Sequence, residues 1–239
     1  MPVAPPHDAA PASGAPVNHG PERPWLVCVV PLVVFLGTGP LETLVGVPGG
    51  YPVAYGVRIV VTCLVLAWCW PAIRAWVGRP SWWPPLVGLG LVIPWVVLAA
   101  WQRDAGWAGS GGRAGYDPFT ALGTGPAAWA FLLVRALGLV VVVPIAEELF
   151  LRGFLLRYVE RERFWEVPFG LVTPVAAATC AGYAALTHPA EAVAAVGWFA
   201  LVSGIAAATR RPIDCILCHA ATNLALGAYA LSSGAWWLL

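Results

Sequence analysis

The chain has 239 residues, of which 59% are hydrophobic and only 10% are charged. Soluble domains carry roughly 25% charged residues, so this composition excludes an ordinary soluble globular protein. The formal net charge is +1, and because the sequence has no basic run we expect no nucleic-acid partner. The composition predicts an all-α fold, a polytopic transmembrane helical bundle in contact with the lipid bilayer.

The N-terminal segment 1–24 is rich in proline and alanine and lacks hydrophobic periodicity, which predicts a disordered tail. It has no basic region followed by a short apolar core, so we do not expect a cleavable signal peptide. Residues 25–239 are then predicted to form a single transmembrane domain.

Seven apolar runs are long enough to predict membrane spans. They are 25–47, 55–77, 82–101, 127–158, 171–187, 190–208 and 213–238. As one helix, the fourth run would be on the order of 48 Å long, against a hydrocarbon core of about 30 Å. It must tilt, project into water or break near Pro144, and a break would give eight spans. The glycine-rich connection 102–125 predicts a flexible loop.

The placement of arginine predicts the orientation in the membrane. Arginines follow the second, fourth and sixth runs, on the same side as the N-terminal tail. They are Arg74, Arg79, Arg157, Arg161, Arg163, Arg210 and Arg211. The positive-inside rule therefore predicts a cytoplasmic N-terminus. If Arg157 marks the cytoplasmic surface, Glu147 lies about 15 Å deeper, near the bilayer midplane.

Three charges interrupt the fourth apolar run: Glu147, Glu148 and Arg152. Ionisable groups are costly inside a membrane and are functional hypotheses by default. Glu148 and Arg152 have the i, i+4 spacing of an ion pair, which leaves Glu147 available as a general base. Since successive helical residues lie about 100° apart, the two glutamates should not face one cavity squarely. The alternative is a non-catalytic binding or transport protein that uses the same buried charges.

Two further elements carry polar groups suited to hydrolysis. His219 and Asn223 have i, i+4 spacing in the last run, and both can donate hydrogen bonds to a developing oxyanion. His188 ends the fifth run. Each of these groups has a structural alternative as a hydrogen-bond donor between helices.

Cys215-Ile-Leu-Cys218-His219 matches the C-x-x-C-H pattern of c-type haem attachment. It lies at the start of an apolar helix, on the side predicted to be cytoplasmic, whereas haem attachment is expected on the opposite face. A haem protein is therefore the less favoured alternative.

Zinc is a second cofactor alternative. His188, Glu191, His219 and the glutamate pair offer nitrogen and oxygen ligands, but no H-E-x-x-H motif occurs. A serine or aspartyl protease has little support, because Ser203 lies outside a G-x-S-G context and Asp214 is the sole aspartate candidate in the spans.

The charged motifs occur in a recognisable order along about residues 126–235. They are Glu147-Glu148-x-x-x-Arg152, then His188, then His219-x-x-x-Asn223. This arrangement resembles the CAAX protease and bacteriocin-processing (CPBP) family of intramembrane proteases. Ala184 stands where the second family motif, F-x-x-x-H, has phenylalanine, and Tyr183 lies beside it. The resemblance identifies 126–235 as the protease core.

The resemblance implies a role for each group. Glu147 and His188 would activate the hydrolytic water, and His219 with Asn223 would stabilise the oxyanion. Glu148 and Arg152 would order the site. We expect no metal cofactor; a metal-dependent reaction would use Glu147, His188 and His219 as ligands.

A narrower resemblance covers most of the chain. Segments 51–58, 116–119, 143–154 and 219–229 are similar to CAAX prenyl protease-related proteins that accompany exosortase and PEP-CTERM sorting systems in bacteria. It implies a protein of the bacterial inner membrane, a membrane-associated peptide or protein substrate and a functional link to an exosortase.

Overall fold

The computed structural model describes residues 22–41, 50–107 and 115–239. Most of the tail that the sequence predicts to be disordered lies outside the described residues. So do the end of the first predicted span and 108–114 of the predicted loop.

The described chain is all-helical, with 81% of its residues in helix and no strand among them, which confirms the predicted fold class. Its helices are α1 (Pro24–Gly37), α2 (Gly50–Trp76), α3 (Pro84–Asp104), α4 (Pro118–Leu122), α5 (Pro126–Tyr158), α6 (Pro174–Thr187), α7 (Pro189–Thr209) and α8 (Pro212–Ser233). Proline opens every one of these helices except α2, because its fixed φ suits the first helical position and its missing N–H is not needed there.

Five helices, α2, α3, α5, α7 and α8, are long and apolar enough to cross a membrane. Their length and composition indicate an integral membrane protein. The other two predicted spans contain α1 and α6, each of 14 residues and shorter than the roughly 20 that a perpendicular span needs. The short helix α4 lies inside the predicted loop 102–125, where the sequence analysis predicted no helix.

Helix α5 does not break at Pro144. Two π-helical turns, Gly138–Val142 and Leu151–Leu155, flank the segment Val143–Phe150 that carries both glutamates. The wider turns absorb the proline while the helix continues to Tyr158. Turns of this kind are frequent at functional sites.

Pro144 removes one backbone donor from α5. In the first π turn, the N–H of Val143 donates to the carbonyl of Gly138, five residues back. With the same offset, Pro144 would serve the carbonyl of Leu139, but proline has no N–H to donate. A group from another helix can supply a hydrogen bond to this carbonyl instead.

The helix α8 packs closely on α3 next to the candidate site. A Cβ added to Gly88 of α3 would lie 2.2 Å from the carbonyl oxygen of Cys218, so only glycine permits this approach. The hydroxyl of Thr222 donates to the Gly88 carbonyl at 2.9 Å. Helix α8 also packs on α5 and α7, and α7 packs on α6, so these four helices surround one interior.

Aromatic rings from α2, α5 and the segment before α4 surround Arg135 of α5. Its guanidinium donates to the hydroxyl of Tyr51 and lies 5.3 Å from the ring centroid of Tyr55. The rings of Tyr116 and Phe131 complete the cluster, at a centroid separation of 5.3 Å. Tyr51 and Tyr116, which belong to the segments of the narrower resemblance, thus come together in space.

Arg157, one of the arginines that predict the orientation in the membrane, is buried in the protein with 1% exposure. The connection after α5 folds back over it, and its guanidinium donates to the carbonyls of Val167 at 2.8 Å, Gly153 at 2.9 Å and Trp165 at 3.2 Å. The sequence gives no signal for a loop that returns over its own helix, and the depth of Arg157 in the membrane stays a prediction.

Candidate active site

Four polar side chains meet in the interior of the bundle: Glu147, Glu148 and Arg152 from α5, and His219 from α8. We call them the carboxylate–histidine cluster. Each is buried, with exposures of 7%, 2%, 3% and 5% respectively. The helices of the core bring together groups that lie more than sixty residues apart.

Glu148 is the central acceptor of this cluster. One oxygen, Oε2, accepts from Nη1 of Arg152, so the ion pair expected from the i, i+4 spacing is present. The other oxygen, Oε1, lies 3.0 Å from Nδ1 of His219. Arg152 also donates from Nη2 to the carbonyl of Phe199 at 2.8 Å, which ties the pair to α7.

Glu147 faces the same histidine from its other edge. Its Oε2 lies 3.8 Å from Nε2 of His219, and its Oε1 accepts a hydrogen bond of 2.8 Å from the hydroxyl of Tyr183. The sequence analysis expected the two glutamates to point apart. They do diverge, but the two nitrogens of one imidazole ring span the gap between them.

The imidazole of His219 is held in one orientation. Its ring packs edge-to-face on Trp198 at 4.6 Å, and Trp198 donates from Nε1 to the hydroxyl of Thr222 at 3.1 Å. Because Glu148 is paired with arginine, it is an ionised acceptor, and we assign a proton to Nδ1 of His219 on that basis. The other nitrogen, Nε2, is thereby directed at Glu147.

Asn223 supplies the hydrogen bond that proline denies to α5. Its Nδ2 donates to the carbonyl of Leu139 at 2.8 Å. The amide nitrogen carries two N–H groups, and this bond uses one of them. The residue expected to bind the oxyanion therefore also locks α8 to the first π turn of α5.

His188 lies beside the cluster in a layer of aromatic rings. It follows the last residue of α6, and its Nδ1 is 2.9 Å from the hydroxyl of Thr187. Its ring lies 5.5 Å from that of Phe199 and 5.7 Å from that of Trp95. Phe199 thus connects His188 to the carboxylate–histidine cluster, and a direct role with Glu147 stays a prediction.

The zinc alternative concerns His219, whose Nε2 faces Glu147 while its Nδ1 faces Glu148. Catalytic zinc is held by three protein ligands, and the metal-free reaction stays a prediction. Across the described ranges, no group of three or more His, Cys, Asp or Glu side chains is arranged to hold a metal ion.

The cysteines of the C-x-x-C-H pattern lie in the hydrophobic core. Cys215 and Cys218 are both fully buried, and the Cys215 thiol lies 3.8 Å from the carbonyl of Val202. Haem attachment would need both thiols and His219. The thiols are packed between helices, and His219 is bonded to Glu148.

An apolar groove of about 310 Å³ lies between α6, α7 and the end of α5. Its lining includes Ala176, Cys180, Val196, Ala200 and Ser203. Cys180 precedes Tyr183 by one helical turn, and Ser203 follows Phe199 by one turn, so the groove adjoins the cluster.

Residues 128–225 match the family model described as type II CAAX prenyl endopeptidase Rce1-like. This segment is similar to that family. The match confirms the CPBP resemblance, covers the whole carboxylate–histidine cluster and supports a CAAX-type intramembrane protease. Comparison with curated proteins and with solved structures found no significant match.

Several partners of the charged groups in segment 128–225 were not predicted from the sequence. Tyr183 had a signal that could have been used, because it is the sole aromatic residue among the small side chains of α6. The carbonyls of Leu139 and Phe199 had none, since every residue carries a carbonyl and only the fold decides which are reached.

Proposed function

We propose that the protein is an intramembrane endopeptidase that hydrolyses peptide bonds with a water molecule activated by Glu147. The observation that carries this proposal is the distance of 3.8 Å between Glu147 Oε2 and His219 Nε2. Tyr183 holds the other oxygen of Glu147, and Glu148 holds the other nitrogen of His219. Hydrolysis of a peptide bond needs a base that activates water and a hydrogen-bond donor to the oxyanion, within a few ångströms of each other.

Glu147 accepts the proton of water as the water oxygen attacks the scissile carbonyl carbon. When both ring nitrogens of His219 carry a proton, the charges of the cluster cancel, because two carboxylates then face two cations, Arg152 and His219. The Nε2–H of His219 stabilises the oxyanion. Glu147 next passes the proton to the leaving nitrogen as the C–N bond breaks. The products are one carboxylate end and one amine end.

The other site residues support this reaction. Glu148 and Arg152 hold His219 in place, and the second amide N–H of Asn223 serves the oxyanion. His188 assists the activation of water from the adjoining aromatic layer. The reaction needs no metal cofactor.

The substrate we propose is a membrane-associated peptide or protein. The apolar groove beside the cluster, with a lining of small side chains, suits an apolar segment that enters from the bilayer. The arginine distribution favours a cytoplasmic N-terminus in a bacterial inner membrane. A link to an exosortase system rests on the narrower resemblance alone.

The proposal is tested with purified protein and a CAAX-type peptide, prenylated or unmodified, with cleavage followed by mass spectrometry. We expect Glu147→Gln to lower kcat by about 10²–10⁴-fold, the range typical of a lost general base, while peptide affinity is retained. Glu162→Gln, an exposed carboxylate after α5, is the matched control and should cleave normally.

Saturable binding of the peptides without any cleavage by the wild-type protein would instead identify a binding or transport protein. Comparison of the membrane proteome with and without the protein then extends the search to native substrates, which accumulate uncleaved when it is missing.

A further inference from the structure

Tyr183 is placed so that its hydroxyl reaches a group at the centre of the site. It lies on α6, and its O–H donates to Oε1 of Glu147 at 2.8 Å. Its ring lies 5.7 Å from that of Phe199 and 6.1 Å from that of Phe150. Rings on α5 and α7 therefore hold the phenol in position.

This hydrogen bond determines which way the Glu147 carboxylate turns. The terminal torsion of glutamate is broad, so an unheld carboxylate rotates readily. With Oε1 bound to Tyr183, the plane of the carboxylate is set and Oε2 faces Nε2 of His219. Glu148 fixes His219 from its other edge, so both reacting groups are anchored from behind.

The geometry points to Tyr183 as a positioning residue for catalysis, one that acts by holding Glu147 in its productive orientation. This inference rests on the proposed function. Preorganised geometry contributes to rate because the transition state then needs no reorientation of the base. Substrate binding is a separate task, since the hydroxyl of Tyr183 is directed at Glu147.

The test is Tyr183→Phe, which keeps the ring and its packing but removes the hydroxyl. We expect kcat on the CAAX-type peptide to fall by about tenfold to a hundredfold, as for loss of a hydrogen bond to a charged group. KM and the thermal midpoint in detergent should stay unchanged. The control is Tyr229→Phe on the exposed face of α8, which should leave kcat unchanged.

A kcat for Tyr183→Phe equal to that of the wild type would overturn the inference. Equal losses in kcat and in the folded fraction would also overturn it, because they would show a packing role. A rise in KM at constant kcat would place Tyr183 in substrate binding instead.

A second measurement examines the bond without changing Tyr183. Infrared difference spectra between the wild type and Glu147→Gln should contain a shifted tyrosine C–O band, because the acceptor changes from carboxylate to amide. No tyrosine band in the difference spectrum would refute the bond. A wild-type protein without peptidase activity would refute the proposed function, yet this spectrum would still decide whether Tyr183 holds Glu147.

Discussion

Arg152 and Arg157 lie five residues apart on α5, and both are almost fully buried, at 3% and 1% exposure. The partners described for them differ in kind. Arg152 is paired with the carboxylate of Glu148, whereas Arg157 donates to backbone carbonyls on its own helix and on the connection that follows. A buried arginine in this helix is therefore no sign of a catalytic site until its partner is known.

The two arrangements do different work. The Arg152 pair compensates a carboxylate and, through Glu148, orients His219. Arg157 binds the turn Phe164–Glu166 and its neighbours to the end of α5, and its guanidinium lies 5.8 Å from the ring centroids of both Trp76 and Phe164. Arg152 orders the candidate site, and Arg157 holds the connection after α5 against the core.

The largest effect should follow from Arg152→Leu. Removal of this cation leaves Glu148 buried without its counter-charge, which costs about 3–5 kcal/mol of the free energy of unfolding. Peptide cleavage should be lost as well, since His219 is then no longer held. Denaturant unfolding in detergent measures the first change, and the peptide assay measures the second.

The double variant Glu148→Leu with Arg152→Leu separates these effects. Apolar replacement of both partners of a buried pair is often neutral for stability, so much of the lost free energy should return while cleavage stays absent. Recovery of both properties would contradict the role we give to Glu148.

A smaller effect is expected for Arg157→Leu. Several buried carbonyls lose a charged donor, and we expect a loss of about 2–3 kcal/mol in the free energy of unfolding. Limited proteolysis should cut the connection 159–173 faster. Below the melting transition, kcat/KM should remain close to the wild-type value. A selective loss of kcat in the fully folded variant would erase the distinction between the two arginines.

The smallest effect belongs to the exposed charges beside them. Glu166 lies 3.4 Å from both Arg161 and Arg163, and all three side chains are at least 40% exposed. Exposed ion pairs contribute little, so Glu166→Gln should change the free energy of unfolding by less than about 0.5 kcal/mol. Thermal unfolding at low and high salt measures this, and a large drop would mean that Glu166 supports the loop over Arg157.

Hydropathy was sufficient to locate the helices, because lipid-facing residues make long apolar runs that need no tertiary information. It did not give the true start of α6 or the existence of α4. It left a break near Pro144 as one alternative, because proline disrupts an ordinary α-helix. The π turn of Gly138–Val142, which has no signature in hydropathy, accommodates that proline.

Within the site, spacing along one helix predicted the pair of Glu148 with Arg152, since i, i+4 residues are neighbours on any helix. Contacts between helices were beyond this reasoning. The bond from Tyr183 to Glu147 and the position of His219 between two carboxylates depend on how α5, α6 and α8 are rotated against each other. No local pattern encodes that rotation.

The bond from Asn223 to Leu139 has a consequence for biogenesis. The two residues are separated by 84 positions, so translation delivers α5 to the bilayer well before α8 exists. During that interval, the carbonyl orphaned by Pro144 has no donor from α8, and Glu148 lacks His219. Helix α8 brings both Asn223, the donor to the Leu139 carbonyl, and His219, the partner of Glu148. A chain that still lacks α8 therefore holds the glutamates without this histidine.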